Sequence, residues 1–175
     1  MPPDEGVANV NSTRRAPVLL LWVAGVLLAA RIGLGVYQGR HQPTSRDLVN
    51  WRPVVAAEAE ARKARRPILY DFTAEWCPPC RAMQREVFGD RSEADFIDKT
   101  FVPVRVLDRK RESGRNPPEV EALQKRFKID SFPTLVVVSP RGGEPVVLSG
   151  YVGKVRTLSA LNEAARKLVA VTPKR

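Results

Sequence analysis

Residues 70–80 read Tyr70-Asp71-Phe72-Thr73-Ala74-Glu75-Trp76-Cys77-Pro78-Pro79-Cys80. A short β-rich run, Ile68 to Phe72, leads into two thiols separated by two prolines, and a helix is expected to follow. At a strand-to-helix junction, a thiol meets unpaired backbone N–H groups and the positive end of the helix dipole, both of which stabilise thiolate. Cys77 is therefore expected to be the exposed nucleophile. Cys80, one turn deeper, is close enough to close a small disulfide ring and is expected to be the resolving thiol. Pro78 and Pro79 are tolerated in a first turn, where their missing N–H groups have no helical partner, and they stiffen the ring. Arg81 adds positive charge nearby.

Both cysteines of the 175-residue chain lie in this motif. Two are too few for a disulfide scaffold, and two thiolates with the single histidine fall a ligand short of a closed zinc site. No metal and no cofactor are expected. Met83 offers a soft third ligand for Cu(I), which keeps a thiol-based copper-binding chaperone as an alternative function. The simpler place for Met83 is the core, on a face shared with Cys80 and Val87.

Outward from the motif, apolar periods alternate between strand and helix. Val54 to Arg66 is alanine-rich, pairs Glu58 with Arg62 at i, i+4, and is closed by Pro67. Phe101 to Leu107 and Thr134 to Ser139 read as strands, and Pro140-Arg141-Gly142-Gly143 turns the second of these into Pro145 to Ser149 as a hairpin. Asn116-Pro117-Pro118-Glu119 reads as a capped helix start, with Val120, Leu123 and Phe127 on one face. Val155, Leu158, Leu161, Ala165 and Leu168 follow a helical period at the end. The order is helix, strand, helix, strand, helix, hairpin, helix. It implies an α/β domain with a mixed central sheet of about four strands flanked by helices.

The segment from Tyr70 to Cys80 closely resembles the active-site strand and turn of thioredoxin, and Phe132-Pro133-Thr134 resembles its cis-proline loop. The likeness in element order runs from about Val54 to Val169, with the usual first strand not evident. The helix before the first strand, and Ser92 to Ile97 before Phe101, are more similar to membrane-tethered and periplasmic thioredoxin-like domains. Those domains include the C-terminal domain of the thiol:disulfide interchange reductase. The resemblance implies a thioredoxin fold and a protein-disulfide reductase working through Cys77 and Cys80. It makes Asp71 the buried carboxylate that handles the Cys80 proton, and Pro133 a cis residue facing the cysteines. Trp76, Phe132, Pro133, Thr134 and Gly150 are then the substrate-binding positions, with Tyr151 beside Gly150 at the rim. The same exchange run in reverse is a dithiol oxidase or isomerase. Implied partners are disulfide-containing protein substrates and a membrane or soluble thiol reductant, and a monomer is expected.

The first fifty residues are of another kind. Residues 1–15 read as a disordered tail. Ala16 to Ala30 carries no charge, and continuing past Arg31 to Tyr37 gives a 22-residue apolar stretch. Roughly 20 residues span a bilayer core, so 16–37 is expected to be a transmembrane signal anchor. A cleaved signal peptide is the competing reading, with Val18 to Ala30 as its apolar region. Residues 38–50 read as a linker, and the soluble domain is taken as 51–175. The arginines flanking the span, Arg14 and Arg15 on one side and Arg40, Arg46 and Arg52 on the other, do not favour an outward domain. On the resemblance, the domain is nevertheless placed on the extracytoplasmic, periplasmic side of the inner membrane, with membrane lipid as a partner.

The net charge of +10 and the run Arg105, Arg109, Lys110, Arg111, Arg115 raise nucleic-acid binding. No groove-reading motif or interleaved aromatics accompany the run, so no nucleic-acid partner is expected and the run reads as a solvated face.

Overall fold

The ILYDFTA run forms β1 (Ile68–Ala74), which pairs in parallel with β2 (Val102–Asp108) and antiparallel with β3 (Thr134–Val138). Antiparallel β4 (Val146–Ser149) completes a sheet of order β2-β1-β3-β4. A computed structural model describes residues 21–31 and 47–170. The helices around the sheet are α1 (Val54–Ala64), α2 (Pro78–Met83), α3 (Arg91–Thr100), α4 (Lys110–Ser113), α5 (Pro118–Phe127) and α6 (Lys154–Ala170). This is the mixed four-stranded α/β arrangement that the periodicities imply.

Period-2 alternation sorts the strands onto two cores. Ile68, Tyr70 and Phe72 of β1 join Val102, Val104 and Val106 of β2 against Ala57 and Ala61 of α1 and Val120 and Leu123 of α5. Leu69, with Leu135 and Val137 of β3, faces the other way, toward Met83, Val87, Phe88, Ile97, Phe101 and Leu161. Asp71 follows Leu69 by two residues. It therefore lies on the face that carries α2, and so does Arg105, its direct partner in the β1–β2 register.

Local chemistry explains several element ends. Ala57 and Ala61 present a smooth stripe to the sheet, and α1 stops where Arg65 turns left-handed at φ 54° just before Pro67. Glu58 and Arg62 form the expected pair at 3.5 Å. Met83 is buried in the core cluster of Leu69 and Phe88, away from the cluster that contains the two cysteines.

Three local features depart from the sequence reading. The helix after the cysteines continues as a π-helical turn, Gln84–Phe88, whose extra residue brings Val87 and Phe88 into the core together. Asn116 does not cap α5: the N-cap is Pro117, which makes no side-chain cap bond. The Asn116 amide is instead drawn inward to a buried carboxylate, donating to Asp108 at 2.6 Å, while its oxygen accepts from the Arg109 N–H at 2.6 Å. Val155 continues the helical period but is 80% exposed, although Thr157 in the same turn of α6 is buried. In agreement with the sequence reading, no first strand is found among the described residues: one parallel bridge between Arg52 and Val104 stands in its place, with the Arg52 N–H donating to the Pro103 carbonyl at 2.8 Å.

The chain divides into two units, one ending at Thr44 and one beginning at Ser45. In the first, residues 21–31 are helical. Among the described residues no helix is long and apolar enough to cross a membrane. The remainder of the 16–37 stretch, the 1–15 tail and linker residues 38–46 lie outside the described residues.

Candidate active site

Cys77 is the N-cap of α2, with extended backbone, and Pro78 and Pro79 occupy the first helical positions. Its Sγ accepts a hydrogen bond from the Cys80 N–H at 3.2 Å. This places the first sulfur at the end of a helix, on a backbone donor that has no helical partner of its own. The two cysteines are joined as a disulfide, with 5.3 Å between their Cα atoms.

The expectation of an exposed Cys77 and a shielded Cys80 is not met in this oxidised state. Cys77 is 2% exposed and Cys80 4%. The closed ring tucks both sulfurs against Ala74, and Phe132 packs over that cluster. In this state the two sulfurs differ in their bonding environment rather than in their access to solvent.

Phe132 packs against the cysteines, and the Phe132-Pro133 peptide is cis, as the resemblance implies. The Pro133 carbonyl accepts from the Gly150 N–H at 2.8 Å, with Gly150 at φ 78°, a conformation that suits glycine. Thr134 is buried, and its hydroxyl donates to the Ser131 carbonyl at 2.8 Å, so its side chain secures the loop. Trp76 stands at the mouth, 42% exposed, edge-on to Phe132 at 6.0 Å and with the Arg111 guanidinium 4.8 Å from its ring. Trp76 after β1, Phe132 and Pro133 with Thr134 at the start of β3, and Gly150 after β4 thus come from three adjoining stretches. Tyr151 turns to the core side, where its hydroxyl donates to Glu86 at 2.6 Å.

Behind the disulfide is a cavity of about 300 Å³, lined by Cys80, Arg81, Gln84, Phe88, Asp71 and Arg105. Asp71 is 1% exposed, and its Oδ1 accepts no hydrogen bond from the described residues. Its Oδ2 accepts from Arg105 Nε at 3.2 Å. Burial first, and the Asp47 charge to a smaller extent, raise the Asp71 carboxyl to about 6 against the pull of the Arg105 charge and hydrogen bond. A carboxylate with that affinity for protons can exchange one near neutral pH.

Arg105 is a functional-site residue that the charge run concealed. It is not on a solvated face: it lies between Asp71 and Asp47, with its guanidinium 4.2 Å from the centre of the Trp51 ring. The signal was a lone charge in the apolar run VPVRVLD, at a position whose neighbours on both sides face a core. Arg109 and Arg111 are also drawn to the site, Arg109 toward Glu75 at 3.7 Å and Arg111 over Trp76. Asp47 had no sequence signal at all.

Comparison with known proteins agrees with this geometry. A family model described as a thioredoxin-like domain matches residues 54–165. Thioredoxin H4 of Arabidopsis thaliana is 31% identical over 87 residues, half of this chain and 61% of that protein. Thiol:disulfide interchange protein DsbD 1 of Pseudomonas aeruginosa is 32% identical over 89 residues, 51% of this chain but 14% of the relative. The chain therefore spans less than two thirds of the length of either. The solved structure of the DsbH oxidoreductase superposes with a TM-score of 0.59 at 20% identity, covering 71% of this chain and 90% of that one, a likeness of fold. With the cysteine pair at the start of α2, the cis proline beside it and the family model matched across all four strands, the chain belongs to the thioredoxin-like family of thiol:disulfide oxidoreductases.

Proposed function

We propose that this chain is a membrane-tethered reductase of protein disulfides, acting outside the cytoplasm through Cys77 and Cys80. The observation that carries the reading is that Cys80 and the buried carboxyl of Asp71 line one cavity directly behind the disulfide.

In the reduced protein the Cys77 thiolate attacks one sulfur of a substrate disulfide, and the other substrate sulfur leaves with the bonding electron pair. Asp71 then takes the Cys80 proton. The resulting thiolate attacks Cys77 Sγ, which forms the Cys77–Cys80 disulfide and expels the second substrate sulfur as a thiolate. Two electrons pass from the dithiol to the substrate. The Asp71 proton is returned to solvent or to the leaving sulfur. A thiol reductant of the membrane or of the surrounding compartment must restore the dithiol. Trp76 and Phe132 supply an apolar rim for the substrate. Because Gly150 already occupies the Pro133 carbonyl, a substrate strand pairs with backbone ahead of Pro133.

The tether rests on the apolar stretch 16–37, and the extracytoplasmic placement on the resemblance to tethered and periplasmic domains. A C-terminal reporter active only outside the cytoplasm tests both, and an expressed but inactive fusion overturns the placement. The chemistry is tested with the reduced full-length protein in detergent micelles. Insulin disulfides are expected to be reduced, Cys77→Ser to be inactive, and Cys80→Ser to accumulate mixed disulfides through Cys77. A protein that oxidises unfolded dithiol substrates yet leaves insulin intact would reverse the direction.

A further inference from the structure

The described part of the domain begins before its sheet does, and Asp47 lies in this leading stretch. Its Oδ2 accepts from Trp51 Nε1 at 2.9 Å and from Arg105 Nη1. Arg105 in turn donates through Nε to Asp71. One guanidinium is thus held between two carboxylates, one partly exposed at the domain entrance and one buried behind the cysteines. Trp51 covers the guanidinium on one face, and its own ring is held edge-on against Phe88 at 5.0 Å.

A single Arg–Asp pair in such a site would hold the buried acid ionised and a poor proton acceptor, because the full positive charge would act on one carboxylate. Dividing the guanidinium between two acids weakens its hold on each. Asp47 is the more exposed of the two, and its own charge reaches Asp71 through a little-hydrated interior, where Coulombic effects are strong. The other charged or titratable groups around Asp71 are Arg81 and Cys80 of α2 and Glu75 just beyond β1, while the π turn contributes the neutral Gln84.

We infer that Asp47 is a positioning residue for disulfide exchange, holding Arg105 between two carboxylates so that Asp71 remains able to take up the Cys80 proton. This deepens the reductase reading and rests on it. The proton passes from Cys80 Sγ to Asp71, and no redox partner beyond the substrate disulfide enters the step. The segment that joins the rest of the chain to the domain is thereby part of its chemistry.

The test uses the full-length protein in micelles and two readouts. One is the pH dependence of the resolving step, followed as release of a disulfide peptide from its mixed disulfide with Cys77. The other is the carbon-13 titration of the Asp71 carboxyl in the reduced protein. Asp47→Asn is expected to move both transitions to lower pH, by roughly 0.5 to 1 unit, because Arg105 then acts on Asp71 alone. Asp47→Glu, which keeps the charge, is expected to restore the wild-type position. Arg105→Met is expected to move both upward. Unchanged transitions in Asp47→Asn overturn the inference. So does an upward shift, which would mean that Asp47 merely anchors Arg105 against Asp71. If the wild-type protein reduces no disulfide, the reductase reading fails, and the carboxyl titration alone still decides the role of Asp47.

Discussion

Arg105 stands directly opposite Asp71 in the parallel β1–β2 register, and its Nε donates to Asp71 Oδ2 at 3.2 Å. Two opposite charges paired inside a sheet give up much of their hydration, and here only one carboxylate oxygen is compensated by a hydrogen bond. The arrangement sacrifices stability at the position where proton affinity is useful.

That sacrifice is measurable. The Asp71 carboxyl titrates at about 6 in the folded protein against 3.8 for an ordinary aspartate. The native state thus binds this proton more tightly than the unfolded chain. Its contribution to stability is complete below about 3.8 and is lost as the pH rises through about 6. Asp71→Asn, which stays neutral, is expected to stabilise the oxidised protein by about 1 to 3 kcal/mol at pH 8, with the gain fading toward pH 4. Urea unfolding at both pH values checks this, and a gain of equal size at each would contradict it. The same variant is expected to resolve mixed disulfides about 10- to 100-fold more slowly.

Trp76 packs between Phe132 and Arg111 yet stays 42% exposed. Its replacement by alanine removes apolar rim and leaves the sulfurs and Asp71 in place. Trp76→Ala is expected to raise KM for a protein disulfide about 3- to 10-fold. Reduction of a small aromatic disulfide is expected to stay within about twofold of wild type, since that substrate needs no groove. Equal losses on both substrates would assign Trp76 to the chemistry instead.

Asn116 links three elements. It donates to Asp108, accepts from the Arg109 N–H, and shares Asp108 with Gln124 Nε2 at 2.7 Å. Burial favours the protonated form of Asp108, but the donors from Gln124, Asn116 and the Lys110 backbone together hold the carboxyl below its ordinary range. Asn116→Ala leaves buried polar atoms short of partners and is expected to destabilise the protein by about 1 to 3 kcal/mol. Asp108 contributes stability above its unfolded range and loses it as the pH falls, so unfolding in acid is expected to begin at higher pH in the variant. A denaturation midpoint and acid transition equal to wild type would show that the network carries no such load.

The sequence made the central strand and the cysteine turn readable because each depends on short-range rules: alternation, prolines confined to the first turn, and one turn between sulfurs; the cis-proline loop was readable only through the family resemblance. The hairpin and the alanine-rich helix α1 were readable for the same reason as the strand and the turn. Asn116 was misread because an asparagine before two prolines has the local form of a cap, while a carboxylate eight residues earlier competes for it. The roles of Arg105 and Asp47 depend on strand register and on a contact across 58 residues, which no local pattern encodes. The π turn was hidden because one extra helical residue leaves the apolar spacing nearly unchanged.

Among the described residues only one bridge covers β2, which stands at the rim of the sheet, where unpaired backbone would invite another chain. A strand residue directs its N–H and its carbonyl to the same side. The Pro103 carbonyl points outward, to Arg52, so the N–H that proline lacks would also have pointed outward. The missing donor therefore takes nothing from the pairing with β1 and blunts the rim near its start. One imino acid guards against the edge-to-edge association that a complete outer strand would otherwise prevent.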